Sequence, residues 1–270
     1  MMIKKIIQIS DIHIRTYRYH DEYSEIFENL YREVESALSL YDYDETRIVL
    51  VGDIFHQKIT ISNESLILAS KLFSRLSEIA PLIIVAGNHD LLENNQDRMD
   101  SITPVVELLN KPEIRYLKRS ECYEDTNVIW CNYSVFDGCS RPDIEAAKAT
   151  YGEDRKYIGL YHAPLMGAKT DIGYTFESGR PLEIFDGCNA VLCGDIHMRQ
   201  VMTSDIPVVF SGSLCQQDFG ESVRNHGFLV WDVDTLTFEA VDVDNPYAFY
   251  TFEINGVDDL DNDLEVLKNS

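Results

Sequence analysis

Five separated places in this 270-residue sequence carry side chains that could do chemistry together: Asp11 with His13, Asp53, Asn88 with His89, His162, and Asp195 with His197. Each begins within two residues of the end of a short apolar run. Their donors are imidazole nitrogens and carboxylate or amide oxygens, with no thiolate. That set suits manganese, iron or zinc in a reactive site rather than a closed structural zinc site. It holds too many ligands for one ion and enough for two. Two ions sharing a central carboxylate would stand ~3.5–4 Å apart, activate a water and clamp a phosphoryl oxygen. A single such histidine would be an ordinary loop residue; the repetition at one kind of place gives the group its meaning.

The apolar runs must be the elements that position these groups. Ile48 to Val51 is aliphatic without alternation, as in a strand covered on both faces, and it stops at Gly52 and Asp53. Ligands of such sheets bind just beyond the carboxyl ends of the strands. Lys4–Ile9, Leu82–Ala86, Tyr157–Tyr161 and Ala190–Cys193 end in the same way. Between the first strands, a helix from Asp21 carries Tyr23, Ile26, Phe27, Leu30, Val34 and Leu38 on one face, and Ser62 caps a second that Pro81 ends. Alternating strand and helix predicts a parallel α/β arrangement. Further on, a short helix near Val105–Leu109, a helix over Asp143–Tyr151, and strands at Ile114–Leu117, Asn127–Val135, Pro207–Phe210, Phe228–Val233, Leu236–Val243 and Tyr247–Ile254 are expected. No repeat or linker interrupts the chain, so one domain of two facing sheets with helices outside is the simplest account.

Composition narrows the function. A net charge of −23 excludes a bulk electrostatic grip on nucleic acid, which needs Lys and Arg at the phosphates. Acids crowd the stretch from Asp232 to Ser270, against the single base Lys268. No apolar run approaches the ~20 residues that span a bilayer, and the start is too short for a signal peptide. A soluble, cytoplasmic protein without membrane contact is therefore expected. Six cysteines form no C-x-x-C pair and read as small buried residues in a reducing compartment.

The ordered set D-x-H, G-D, G-N-H-D, a lone H and G-x-x-H resembles the calcineurin-like metallophosphoesterase superfamily over residues 3 to about 233. Gly52-Asp53-Ile54-Phe55-His56 resembles its nuclease branch, the SbcD-type exonuclease subunit and its relatives in double-strand-break repair. Protein serine/threonine phosphatases would show an arginine shortly after that aspartate. The resemblance implies a four-layer α/β/β/α sandwich of two facing mixed sheets over residues 1–244. It puts Asp11, His13 and His197 on one metal and Asn88, His162 and Asp195 on the other, with Asp53 bridging. The ions would be divalent, manganese first, with magnesium or iron as alternatives. His89 would act on the scissile phosphate or the leaving oxygen, Asp90 would fix its tautomer, and His56 would contact the phosphate.

Two departures stand out. Relatives usually carry histidine where this sequence has Asp195. Relatives also continue into a DNA-capping domain and a segment that binds an SbcC-type ATPase, whereas residues 245–270 here are an acidic segment that could only begin such a cap. The expected activity is hydrolysis of DNA phosphodiester bonds; a small-molecule phosphatase or cyclic-nucleotide phosphodiesterase, or a lapsed scaffold, are the alternatives. Ile59, Ile61, Ile67, Val105, Val106 and Leu109 fall on helices that relatives use to form a homodimer, and Arg15, Arg18, Tyr17 and Tyr19 lie where they could touch a nucleic-acid backbone.

Overall fold

A computed structural model of the protein describes residues 1–58, 60–92, 94–95 and 98–251. Among these residues, twelve strands form two six-stranded sheets. The first contains β1 (Lys5–Ile9), β2 (Thr46–Val51), β3 (Leu82–Val85), β4 (Ile114–Tyr116), β11 (Gly227–Asp232) and β12 (Phe238–Asp242), in the order β12-β11-β1-β2-β3-β4. The second contains β5 (Cys122–Asp125), β6 (Val128–Tyr133), β7 (Lys156–His162), β8 (Ala190–Gly194), β9 (Gln200–Val201) and β10 (Val208–Phe210), in the order β5-β6-β7-β8-β10-β9. In the first sheet β1 to β4 run parallel and β11 and β12 join antiparallel at one margin; in the second the middle is parallel and both margins are antiparallel, so both sheets are mixed as expected.

Four layers follow from where apolar side chains point. Alternate residues of β2, such as Val49 and Val51, meet Trp130, Ile158, Leu160 and Val209 of the other sheet. Their neighbours Ile48 and Leu50 face outward onto α1 (His20–Leu38), α2 (Asn63–Ile79) and α3 (Thr103–Leu109). The outer face of the second sheet is covered by α4 (Ile144–Tyr151) and by the connection carrying Leu165 and Phe185. Double coverage explains why these strands read as unbroken apolar runs. Buried Gln8 ties the layers at their centre, donating to the Cys193 and Val209 carbonyls and accepting from the Trp231 indole.

The helix signals translate directly. Ser62 accepts from the Ser65 N–H and caps α2, and Asp143 caps α4 through Ala146. Two local expectations differ. β5 was not anticipated, because Cys122–Asp125 is short and half polar; it pairs with β6 across a two-residue turn and is secured by Arg47, whose guanidinium grips Asp125 at 2.7 and 2.8 Å. The strand expected over Tyr247–Ile254 does not form in its described part, residues 247–251. There the backbone instead engages a side chain, the Phe249 N–H and C=O both bonding Gln216. The remainder of that expectation, most of the acidic 245–270 segment, and Ile59 lie outside the described residues.

Candidate metal centre

The carboxyl ends of β1, β2, β3, β7 and β8 converge, and the residues just beyond them gather at one place. The loops after β1 and β2 are zipped together: the N–H groups of Asp11, Ile12, His13 and Ile14 donate to carbonyls of Gly52, Asp53 and Ile54, and His56 N–H returns to Ile14 C=O. To aim their side chains inward, Asp11, His13, Asp53 and Asp195 adopt positive φ angles of 53, 54, 52 and 90°. Non-glycine residues rarely accept this conformation, and it concentrates at functional sites. Glycines clear the space. A Cβ on Gly52 would come within 2.2 Å of the His162 ring, and one on Gly87 within 2.1 Å of an Asp53 oxygen.

Asp53 stands at the centre. Its Oδ2 is 3.5 Å from His13 Nε2, and its Oδ1 is 3.2 Å from His162 Nε2 and accepts the His89 N–H at 2.8 Å. On one side, Asp11, His13 and His197 each offer a ligand atom within 4.8 Å of the others. On the other, His162 Nε2 lies 4.0 Å from Asp195 Oδ1. Asn88 is beside them: with its NH2 turned to Asp53 it reaches both carboxylate oxygens at 3.3 and 3.2 Å. Turned the other way, the amide oxygen faces the carboxylate, an arrangement that calls for a cation between them. The seven residues expected to hold metal are thus brought together.

The donor set fits two divalent cations. His162 donates Nδ1–H to the Val51 carbonyl at 2.7 Å, which fixes its tautomer and leaves Nε2 toward the centre, buried and without a hydrogen-bond partner. His13 and His197 turn their Nε2 atoms to within 3.1 Å of each other, as two ligands of one ion would. Burial pushes His197 down, but the Glu221 hydrogen bond and Asp11 outweigh it and raise its pKa to about 9. Burial likewise opposes protonation of His162, yet Asp53, Asp11 and Asp195 hold it well above its ordinary value. For Asp53, burial acts upward and the surrounding imidazoles, His162 foremost, carry it below the usual carboxylate range. Asp11 is raised to about 6 by burial. The carboxylates thus favour positive charge on His162 and His197, while burial lowers His13 well below its ordinary value; a bound cation would take over the positive role.

On the exposed side are His56 and His89, their ring centroids 5.3 and 4.9 Å from His13. His89 Nδ1 lies 2.6 Å from the His56 carbonyl and donates to it, leaving Nε2 free for chemistry. This corrects the expectation that Asp90 fixes the His89 tautomer. The fully buried Asp90 carboxylate is instead occupied by the backbone N–H groups of Gly87, Phe55 and Ile54, so it shapes the loops that carry Asp53 and His89. Burial, then Asp53, raises its pKa to about 7. Arg15 donates to His56 Nε2 at 3.2 Å and to the Gln217 carbonyl. Burial and that guanidinium lower His56 to about 4, keeping it neutral.

Glu221 was not foreseen. Its Oε1 receives His197 Nδ1, and its Oε2 accepts from Gln217 N–H and Ser213 Oγ. It is the carboxylate that orients a ligating imidazole. Nothing at Glu221 announces this, since it lies on a loop 24 residues from His197.

Comparison with known proteins agrees with the geometry. Residues 4–199 match the family described as calcineurin-like phosphoesterase. An uncharacterized protein of Acanthamoeba polyphaga mimivirus is 38% identical over 258 residues, covering 93% of this chain and 19% of its own length; the chain thus spans about a fifth of that relative. The crystal structure of TT1561 of Thermus thermophilus superposes with a TM-score of 0.53 at 14% identity, covering 90% of this chain and all of that one. Another crystal structure gives 0.56 at 10% identity with the same coverage. At such identities the two structures speak for the fold alone. The family match spans most of the chain and contains every expected ligand: this protein belongs to the calcineurin-like phosphoesterase family.

Proposed function

We propose that the protein is a phosphodiesterase of the SbcD nuclease type, hydrolysing DNA phosphodiester bonds with two ions, manganese first. The observation that carries this reading is the space around the cluster. Two cavities share Asp195 as a common wall. One, of about 530 Å³, is lined by Asn88, His162, Tyr161, Pro164 and Arg180. The other, of about 320 Å³, is lined by His197, Glu221 and the Thr170–Phe176 turn. A phosphodiester has an organic group on both sides of phosphorus, a monoester on only one. The ions would supply a water nucleophile and Lewis-acid stabilisation of the phosphoryl oxygens. Asp11, His13, Asp53, Asn88, His162, Asp195 and His197 would hold them. His89, with Nδ1–H committed to a carbonyl, would place Nε2 at the phosphate and, in its doubly protonated form, give the Nε2 proton to the departing oxygen and be left as the neutral Nδ1–H tautomer. Arg15 and neutral His56 would bind a nonbridging oxygen.

The net charge of −23 favours a second reading, a small-molecule diesterase on the same scaffold. Labelled duplex and single-stranded DNA assayed beside bis(p-nitrophenyl) phosphate, with manganese and with chelator, separates the two. Metal-dependent cleavage of DNA supports the nuclease; turnover of the small ester with intact DNA overturns it. In the same reading, a homodimer would use the helical groove lined by Ile67 and Leu109. An SbcC-type ATPase partner and a cytoplasmic location complete the proposal.

A further inference from the structure

We infer that the smaller cavity is a nucleobase subsite, occupied by the base of the nucleotide esterified to the scissile phosphate. This rests on the phosphodiesterase reading above and assigns one side of the substrate. Its inner wall is His197, Asp195 and Glu221, so whatever fills it is attached to the group held at the metal centre. Its outer wall is a turn closed by Thr170 N–H to Tyr174 C=O and Gly173 N–H to Thr170 C=O. Gln200 anchors that turn by bonding both the N–H and C=O of Lys169.

The lining chemistry selects the occupant. Ile172, Tyr174, Phe176, Ile196 and Met198 supply apolar and aromatic surface, with Tyr174 and Phe176 edge to face at 5.1 Å. Ile172 and Tyr174 stand exposed, at 76% and 56%. Surface of this kind beside a reactive centre suits a planar ring that stacks. Apart from His197, the charged lining residues Asp171, Asp195, Asp218 and Glu221 are acids, which repel a second phosphate, and Asp171 and Asp218, away from the metal centre, can accept hydrogen bonds from ring N–H and exocyclic amino groups. The Arg180 of the other cavity suits a neighbouring phosphate. About 320 Å³ lies at the lower end for small-ligand pockets and admits one nucleoside, not a peptide.

The test compares thymidine 5′-(p-nitrophenyl) phosphate with methyl p-nitrophenyl phosphate, the same reaction without a base. Losing one stacking partner costs on the order of tenfold or more in binding, so Tyr174→Ala should lower the ratio of kcat/KM between the two esters about tenfold, mainly through KM. Tyr174→Phe should restore it, and Ile172→Ala should lower it in part. An unchanged ratio in Tyr174→Ala and Ile172→Ala overturns the subsite, even if DNA is cut. A ratio that falls while DNA stays intact keeps the subsite and removes the nuclease reading, so the two fail separately.

Discussion

His89 and Asp53 separate chemistry from ion binding. His89 reaches the centre through its backbone N–H and leaves Nε2 to the substrate, so His89→Gln should lower kcat by about 10²–10⁴, the usual worth of a general acid. Manganese content by elemental analysis should stay unchanged; loss of metal along with rate would contradict the role. Asp195 supplies a carboxylate where relatives have an imidazole, and the added negative charge offsets part of the cations' field. Asp195→His should therefore keep two ions and move the rise of the pH–rate profile downward, whereas Asp195→Ala should lose one ion. Glu221→Gln leaves His197 without its anionic partner and should weaken manganese binding about 10- to 100-fold, seen in titration calorimetry. The direction of the histidine pKa values gives a further expectation. His197, raised to about 9, carries at pH 7 a proton that it must lose to ligate, and the neighbouring carboxylates shift His162 in the same direction. Manganese binding at pH 7 should release about one to two protons, read from calorimetry in buffers of different ionisation enthalpy, and affinity should rise with pH.

The elements make the site possible because five strand ends point one way. Arg47 on β2 and Asp125 on β5 pin one sheet to the other, both largely buried. For Asp125, burial acts upward, but Arg47 and the Trp130 indole win and lower its pKa below 3.8. Its stabilisation is therefore present above the unfolded value near 3.8 and lost as pH falls through the lower folded one. Asp125→Asn should cost about 3 kcal/mol at neutral pH, with the difference from wild type shrinking in denaturant titrations below pH 4. The strands that deliver ligands were legible because burial on both faces leaves a continuous apolar run, and each run stops at a polar residue. The helices were legible from period and from Ser62 and Asp143 as caps. What stayed hidden depends on the tertiary structure. β5 is held by a guanidinium from the other sheet, and Glu221 finds His197 only once the loop after β10 folds back. Asp90 follows His89 in sequence yet turns to the backbone of the β2 loop. Gly52 could be read as a turn, but not as the space for His162; Gly52→Ala should cost about 1–3 kcal/mol and disturb metal loading together.

At the scale of the molecule, a net charge of −23 leaves few cations to meet a polyanion. Cleavage of DNA should depend weakly on salt, since a site touching two or three phosphates gives a slope of log affinity against log salt of about −2 to −3. A steep slope would mean a basic surface not visible among the described residues. The central claim, that Asp53 is shared between two ions, is tested most directly by anomalous scattering at the manganese edge from crystals grown with manganese. Two full peaks ~3.5–4 Å apart are expected, both in contact with Asp53, one beside Asp11, His13 and His197 and the other beside Asn88, His162 and Asp195. A single peak, or two that do not share Asp53, would contradict the account.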